Sequence, residues 1–567
     1  MNPMRIALAG TWVPLPSRQN GPANYNLAIG YLQAFVQGQA DVDLFRKDFP
    51  IRLGSTALPQ GAVDQMLAED PHAVGISSYC WDSDAFESVV AAIKKRSPST
   101  RIILGGPTAT FGAASLMQRH PEIDLAVLGE GEQTFLDLVR SGLEPSAGIP
   151  GLMWRDGDQV RFNGPRQVLA SMNQLRSPYL TGVLRPPQTQ LTLEWSRGCV
   201  FRCKHCAWKN FLGGLRQLEP SLIAEELRWA VEHGYDGAFV LDAAINFDTA
   251  HLDAVTRAIA QSIPKDSIRF SYFLSQHHYD PAQLESLSRL ASHEIWLGVE
   301  SIHAPALKAI SRPPFDRAAF EKLVEELSAV GPLHVSIMLG IPGDTLDGFG
   351  QTVDYLAELA GRGGRKRIAG VRVFWTLAPP GSYFSEQKQK FGIRTVDLGM
   401  PYVLHSDSFP EADMREAFRY LYSHPHRELF IYDDPLPSTW YPGLEDVRLH
   451  DDAVELGVRE QANLPIDTWQ RLIPSCREGQ TLVSGWTVRA CGLREGWPTL
   501  RLEKAGRRMI VQLREHREGQ PSFVRAGSYD LLWLRDESAP AQGNSPDPEL
   551  GPVMAFLASS LRKEPAS

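Results

Sequence analysis

The chain has 567 residues, 43% hydrophobic and 22% charged, with a formal net charge of -9. This length exceeds one ordinary hydrophobic core and implies two to four domains of globular composition. The acidic balance gives no electrostatic case for nucleic acid or an anionic membrane, no run of eighteen apolar residues marks a span, and residues 1–20 open on a strand pattern rather than a secretory signal, so a cytoplasmic location is expected.

Residues 1–147 alternate short apolar strands with amphipathic helices, the pattern of a doubly wound, Rossmann-like parallel α/β sheet. The expected strands are Arg5–Leu8, Val42–Phe45, Ala73–Ser77, Arg101–Leu104 and Leu125–Leu128. Between the third and fourth, Phe86, Val89, Val90 and Ile93 form an i, i+3, i+4, i+7 stripe that predicts a helix packed on the sheet. Glycine-rich turns follow the last two strands, Gly105-Gly106-Pro107 and Gly129-Glu130-Gly131-Glu132. Ligands of open α/β sheets bind beyond the C-terminal strand ends, where glycine lets the backbone approach them, so Gly105, Gly106, Gly129, Glu130 and Gly131 are candidate cofactor contacts; glycine there is also ordinary turn chemistry. Residues 148–187 read as a linker with a small hairpin turning at Asp156-Gly157.

The stretch Glu194-Trp-Ser-Arg-Gly-Cys-Val-Phe-Arg-Cys-Lys-His-Cys follows an apolar strand at Leu191–Trp195 and carries Cys199, Cys203 and Cys206 in a C-x3-C-x2-C spacing. Six cysteines in all, three of them clustered, do not make a disulfide framework. Soft thiolates suit iron–sulfur clusters, and three on one loop hold three irons of a [4Fe-4S] cluster with the fourth iron open. The alternatives are a zinc site, which normally takes four protein ligands, or three unrelated thiols. A helix is expected from Glu219-Pro220-Ser221 with Ile223, Leu227 and Val231 as its apolar stripe. Strands are expected at Gly237–Leu241, Arg269–Leu274, Glu294–Val299, His334–Leu339 and Gly370–Trp375, separated by helical segments. Residues 188–398 therefore form a partial or full β/α (TIM-like) barrel with its chemistry at the C-terminal strand ends.

The cysteine spacing, His205 before the last cysteine, and the flanking Ser196-Arg197-Gly198 resemble the radical S-adenosylmethionine (radical SAM) superfamily. Gly298-Val-Glu-Ser resembles that family's Gly-(Ile/Val)-Glu-Ser element, which implies contacts from Glu300 and Ser301 to the ribose or methionine part of SAM. Gly340-Ile-Pro-Gly343 resembles its Gly-x-Pro-Gly element, which implies close passage of backbone by the adenine. Phe374 to Ser382 parallels a Pro-Gly-(Thr/Ser) turn after the last strand. A doubly wound domain ahead of this barrel resembles the cobalamin-binding radical SAM enzymes, over roughly residues 1–390. The Asp-x-His-x-x-Gly motif that supplies a cobalt-ligating histidine in other corrinoid domains is missing, and Tyr79 and Trp81 are expected against the lower face of the corrin or, equally, in the core. Asp242, where relatives often read Asp-Asp-x-Phe, is a candidate catalytic carboxylate for an amine of SAM or substrate, or a helix cap. His277, with His278, is a candidate acid/base group, a ligand to the open iron, or a surface residue.

Residues 399–567 change character and read as a small α+β cap over the substrate. Expected strands are Thr481–Val488, Thr499–Leu502, Arg508–Leu513 and Leu531–Leu534, with a mobile linker at 537–551 and a final helix at Pro552–Leu561. Cys80, Cys476 and Cys491 read as plain buried thiols, Cys476 and Cys491 alternatively as a substrate-side pair. The resemblance implies a methyltransferase that moves a SAM-derived methyl through methylcobalamin to an unactivated carbon or phosphinate of a natural-product or peptide substrate, with a flavodoxin or ferredoxin as electron donor. A cyclase or ring-rearrangement enzyme, and a non-catalytic corrinoid or redox sensor, are the other readings.

Overall fold

A computed structural model describes residues 3–12, 25–51, 57–186, 189–362, 367–397 and 400–431, and five strands between Thr487 and Leu534. The first sheet contains β1 (Met4–Trp12), β2 (Val42–Pro50), β3 (Ala73–Ser77), β4 (Arg101–Gly105) and β5 (Leu125–Val127), all parallel, in the order β2-β1-β3-β4-β5. The order reverses between β1 and β3, so the ligand crevice of this doubly wound topology falls at the ends of those two strands. Side-chain alternation feeds two cores. Ile6, Leu8 and Leu125 pack with helices Leu27–Val36 and Gly131–Arg140, whereas Ala7, Ala9, Val74 and Ile76 pack with helices Ser83–Arg96 and Pro107–Arg119. Phe86, Val90 and Ile93 of the expected stripe are buried there.

The hairpin placed in the linker belongs to this sheet. Its strands β6 (Leu152–Asp156) and β7 (Gln159–Phe162) add antiparallel to β5 and cover an edge that would otherwise expose unpaired backbone groups. The chain from Met172 to Leu184 is also packed, since Met172, Leu175, Tyr179 and Leu184 join one core running from the first sheet into the second. The Tyr179 hydroxyl shares a hydrogen bond with that of Tyr25 at 2.8 Å and donates to the Thr192 carbonyl at 2.5 Å.

The second sheet comprises β8 (Gln190–Leu193), β11 (Gly237–Val240), β12 (Arg269–Leu274), β13 (Ala291–Glu300), β14 (Leu333–Leu339), β15 (Gly370–Trp375) and β18 (Phe430–Ile431), all parallel. It is open, with β8 and β18 at its edges, and so forms a partial barrel. Two short antiparallel pairs sit beside it, β9 (Ser196–Arg197) with β10 (Arg216–Gln217) and β16 (Arg394–Asp397) with β17 (Pro401–His405). Because β18 pairs with β15, and Met414, Ala417, Phe418 and Leu421 of helix Glu411–Ser423 are buried against the barrel, the barrel runs past the expected end at residue 398 to Ile431. A third sheet, antiparallel, has the order β19-β20-β21-β23-β22, with β19 (Thr487–Arg494), β20 (Trp497–Lys504), β21 (Arg507–Glu515), β22 (Val524–Ala526) and β23 (Tyr529–Leu534). Expected strands 499–502, 508–513 and 531–534 lie within β20, β21 and β23. Residues 481–486, 537–551 and 552–561, and Cys476, lie outside the described residues; Cys491 is on β19, with its side chain outside them. Cys80 is half-buried rather than buried.

A buried ionic network ties the first two sheets together. Arg197 Nη1 reaches Glu132 at 2.8 Å and Glu130 at 3.7 Å, and its Nη2 reaches Glu194 at 3.0 Å. Arg216 makes a two-pronged contact with Glu130, at 2.5 and 3.0 Å. The Arg197 guanidinium also lies 5.0 Å over the Tyr31 ring. Taking one partner out of a buried ion pair leaves an uncompensated charge and costs about 3–5 kcal/mol. Arg197→Ala is therefore expected to lower the unfolding midpoint of the full chain sharply and Arg197→Lys less so, read by scanning calorimetry.

Candidate functional site

The C-terminal strand ends of the first two sheets meet. Glu130 and Glu132 follow β5, and their partner Arg197 follows β8. Phe111, in the helix after β4, lies against Gly381 in the turn after β15, where any Cβ would run into its ring, and is 6.4 Å from the Phe211 ring beyond the cysteine loop. Loops from both crevices thus border one junction.

On the first sheet, the Tyr79 and Trp81 rings stack in parallel at 4.5 Å, 10° apart, beside the β1/β3 reversal point. Beneath them Asp82 is fully buried and accepts from Thr11 Oγ1 at 2.5 Å, Ser78 Oγ at 3.1 Å and the Tyr79 N–H at 2.6 Å. Burial pushes its carboxyl up to about 7. Gly106 has φ +89°, and a Cβ there would sit 2.5 Å from the Ser78 carbonyl oxygen, so the turn closes onto β3 only with glycine. Gly129, φ +75°, faces open space, whereas Gly105 makes ordinary contact with the Ile76 carbonyl and Gly131 lies near Leu32. Thr108 Oγ1 is buried without a hydrogen-bond partner. Half-buried aromatics, an open glycine turn and an orphaned hydroxyl at a reversal point fit a large planar cofactor with polar edges. The Glu130 carboxylate does not join them: both oxygens are held by Arg216, and Oε2 also accepts the Leu169 N–H. Its side chain serves the junction, which corrects its expected contact with a cofactor.

On the second sheet, the loop to Cys199 leaves β8 through the β9 pair. Gly198, φ +92°, lies so close to the Gly214 carbonyl that any side chain would collide with it. Asp242, at the end of β11, accepts from the Trp195 N–H at 2.8 Å and Ser196 Oγ at 2.5 Å, and burial pushes its carboxyl up to about 7. Through both oxygens Asp242 anchors the start of the cysteine loop. Burial also pushes the Cys203 thiol up to about 11, and this thiol lies within electrostatic reach of Cys199, Cys206, Arg312 and Glu300. Cys206 accepts the Trp208 N–H at 3.4 Å. Among the described residues no three His, Cys, Asp or Glu side chains converge as ligands of a single ion would. Three neighbouring thiols on one loop fit a multi-iron cluster, which takes one thiolate per iron. His205 Nδ1 and Arg312 Nε are buried beside them without hydrogen-bond partners.

Glu300 has φ +65°, rare for a side chain of its size, and its Oε1 accepts from Arg312 at 3.0 Å. Arg312 also covers the Phe201 ring at 4.8 Å. His277 is half-buried, its ring centre 6.1 Å from Phe201; burial, with the charges of Arg312 and His278, pushes its pKa down. Ser301 is turned into the fold, donating to Asp344 Oδ2 at 3.2 Å, and Asp344 in turn pairs with His303 at 2.9 Å. At Gly340 the space of a side chain is taken by Met414, and at Gly343 by Pro305 and Ala309. At these three positions the side-chain directions are taken by protein groups. The sequence pattern did not single out Arg312 or Asp82.

An open parallel barrel with three cysteines at one strand end, joined end to end with a doubly wound domain, defines a two-module cofactor protein of the iron–sulfur type. Residues 23–139 match the family described as B12 binding domain, and residues 193–356 match the Radical SAM superfamily. The cobalamin-dependent radical SAM methyltransferase TokK of Streptomyces tokunonensis is 24% identical over 58% of this chain and 51% of its own length. The 2-(S-pantetheinyl)-carbapenam-3-carboxylate methyltransferase of Streptantibioticus cattleyicolor is 25% identical over 59% of this chain and 51% of its own length. The chain thus spans about half the length of these curated relatives. The radical SAM methyltransferase TsrM of Kitasatospora setae, solved with tryptophan and a SAM analogue, shares the fold at a TM-score of 0.58 and 15% identity, over 75% of this chain and 91% of TsrM. The chain thus carries, in order, a region matching a B12 binding domain and a region matching the Radical SAM superfamily.

The raised pKa of Asp242 has a measurable sign. Its folded value of about 7 exceeds the ordinary 3.8, so the folded chain binds the extra proton and loses stability as pH rises from about 4 to 7. Asp242→Asn removes this titration, and the unfolding midpoint of the variant is expected to fall less steeply than that of the parent between pH 5 and pH 7.

Proposed function

We propose that the chain is a cobalamin-dependent radical SAM methyltransferase acting on a carbon, or a phosphinate, of a small natural-product or peptide substrate. The observation that carries this reading is the junction itself, where loops from the C-terminal strand ends of both sheets meet. When bound, the cluster, SAM and corrinoid would supply reductive cleavage of SAM and methyl carriage on cobalt. The chain's residues hold and orient them. Cys199, Cys203 and Cys206 would ligate three irons, and as ligands they would be thiolates whatever their pKa without metal. Glu300 and Arg312, paired beside Cys203, present a carboxylate and a guanidinium suited to the amino and carboxylate groups of an amino-acid moiety. Tyr79 and Trp81, with the turns at Gly106 and Gly129, would line the corrin. His277, near Phe201 and kept neutral by its surroundings, is the candidate proton acceptor. The assigned modules are residues 1–162 for the corrinoid, 163–187 for the connection, 188–431 for the barrel and 432–567 for the substrate cap.

Cytoplasmic location and a protein electron donor such as a flavodoxin or ferredoxin complete the reading; nucleic acid has no part in it. No helix among the described residues is long and apolar enough to cross a membrane. The test is oxygen-free reconstitution with iron, sulfide and hydroxocobalamin, followed by methyl-labelled SAM and a strong reductant. Labelled methylcobalamin together with 5′-deoxyadenosine is expected by mass spectrometry. Bound corrinoid that stays unlabelled while deoxyadenosine forms would overturn methyl transfer. In Cys203→Ala the bound iron and both products are expected to fall to background.

A further inference from the structure

We propose that the outer face of the cysteine loop, built around Lys204, Tyr383 and Lys390, is the docking surface for a small acidic one-electron carrier protein; this rests on the cluster assignment above. The chain is acidic overall, yet from Trp195 to Leu218 it contains no Asp or Glu while carrying Arg197, Arg202, Lys204, Lys209 and Arg216. Arg197 and Arg216 are spent in the buried network, and Arg202 is exposed. Lys204 stands between Cys203 and Cys206, with its backbone pinned on both sides: its N–H donates to the Ile310 carbonyl, and its carbonyl accepts the Phe384 N–H, each at 3.2 Å. Its ammonium is 5.2 Å from the centre of the Tyr383 ring. The same ring holds exposed Lys390, whose Nζ is 5.7 Å from its centre and donates to the Tyr383 hydroxyl at 3.1 Å.

Two ammoniums on one ring are ordered by cation–π attraction without being neutralised. No ion pair among the described residues includes either of them, although most arginines around the barrel are paired with carboxylates. Lys388 adds a third cation two residues before Lys390, hydrogen-bonded to Thr395 at 3.1 Å, and Glu386 is the one acid between Tyr383 and Phe391. An unneutralised positive patch on an acidic molecule attracts an acidic partner to that spot and turns it from the rest of the surface. Its position decides what the partner brings: Lys204 lies between Cys203 and Cys206, so a carrier seated here stands against the cysteine loop itself. The reaction moves one electron, oxidising the carrier by one electron and reducing the cluster by one, with no atom transferred.

The test uses the full chain reconstituted with iron and sulfide, a reduced flavodoxin as probe, and stopped-flow bleaching of the cluster absorbance. The parent is expected to be reduced at a rate that falls steeply with added salt. Lys390→Glu and the double variant Lys388→Glu/Lys390→Glu are expected to be slower by about tenfold or more at low ionic strength, and nearly insensitive to salt. Lys390→Arg should keep the parental rate. Dithionite, which needs no docking surface, should bleach all four proteins alike. Equal flavodoxin rates in the parent and both Glu variants, or a parental rate indifferent to salt, would overturn the surface while leaving the cluster in place. A reconstituted parent that dithionite cannot bleach would instead overturn the cluster assignment, and this surface with it.

Discussion

Three carboxylates and two guanidiniums are buried where the two parallel sheets meet, and the placement of both crevices depends on them. Desolvating five charges is costly, and the mutual attraction of such groups repays it only with close, multiply bonded geometry. That geometry is present: Arg216 grips Glu130 with both terminal nitrogens, and Arg197 spans Glu132 and Glu194. Burial pushes the Glu194 carboxyl up while Arg197 pulls it down. A hydrophobic interface of equal area would hold the modules together but tolerate sliding. Fixed pairs at strand ends set one register, and Arg197 stands only two residues before Cys199.

The same economy of position explains the buried acids. Asp82, Asp242 and Glu226 each sit where burial pushes a carboxyl up to about 7, the range in which catalytic acids are sought. In Asp82 and Asp242 the oxygens already accept from hydroxyls and N–H groups of their own loops. They brace the turns from which Tyr79 and Trp81, and the cysteine loop, project. A perturbed carboxyl close to a reaction centre can thus be a brace, and its hydrogen-bond partners separate the two cases.

The strands of both parallel sheets were legible because strands buried on both faces read as continuous apolar runs, as Ala73–Ser77 and Gly237–Val240 do. The cysteine spacing was legible because a cluster loop is local in sequence. Partners that are distant in sequence were not: Glu132 and Arg197 are 65 residues apart, and nothing in either neighbourhood names the other. For the same reason the protein partners of Glu130, Ser301 and Asp242 could not be read from their own segments. Helix Glu411–Ser423 is a different miss. Its buried Met414, Ala417, Phe418 and Leu421 have helical spacing, but the tryptophan- and proline-rich sequence that follows hid the stripe.

Gly340 and Gly343 show why a motif's function cannot be taken from its residue types alone. Both have positive φ, 77° and 95°, and a glycine in that conformation reads as access for a ligand. Here the space is filled from within the chain, by Met414 over Gly340 and by the start of helix Ala304–Ala309 over Gly343. The Gly343 N–H donates to Ser408 Oγ at 2.6 Å, drawing in the segment between β17 and helix Glu411–Ser423. These glycines let residues 400–431 close onto the barrel wall behind β14. That closure carries β18 onto the edge beside β15, and so it fixes the turn through Gly381 that meets Phe111 of the first module. A side chain added at Gly340 would meet Met414 first, and so would act on this closure of residues 400–431 onto the barrel.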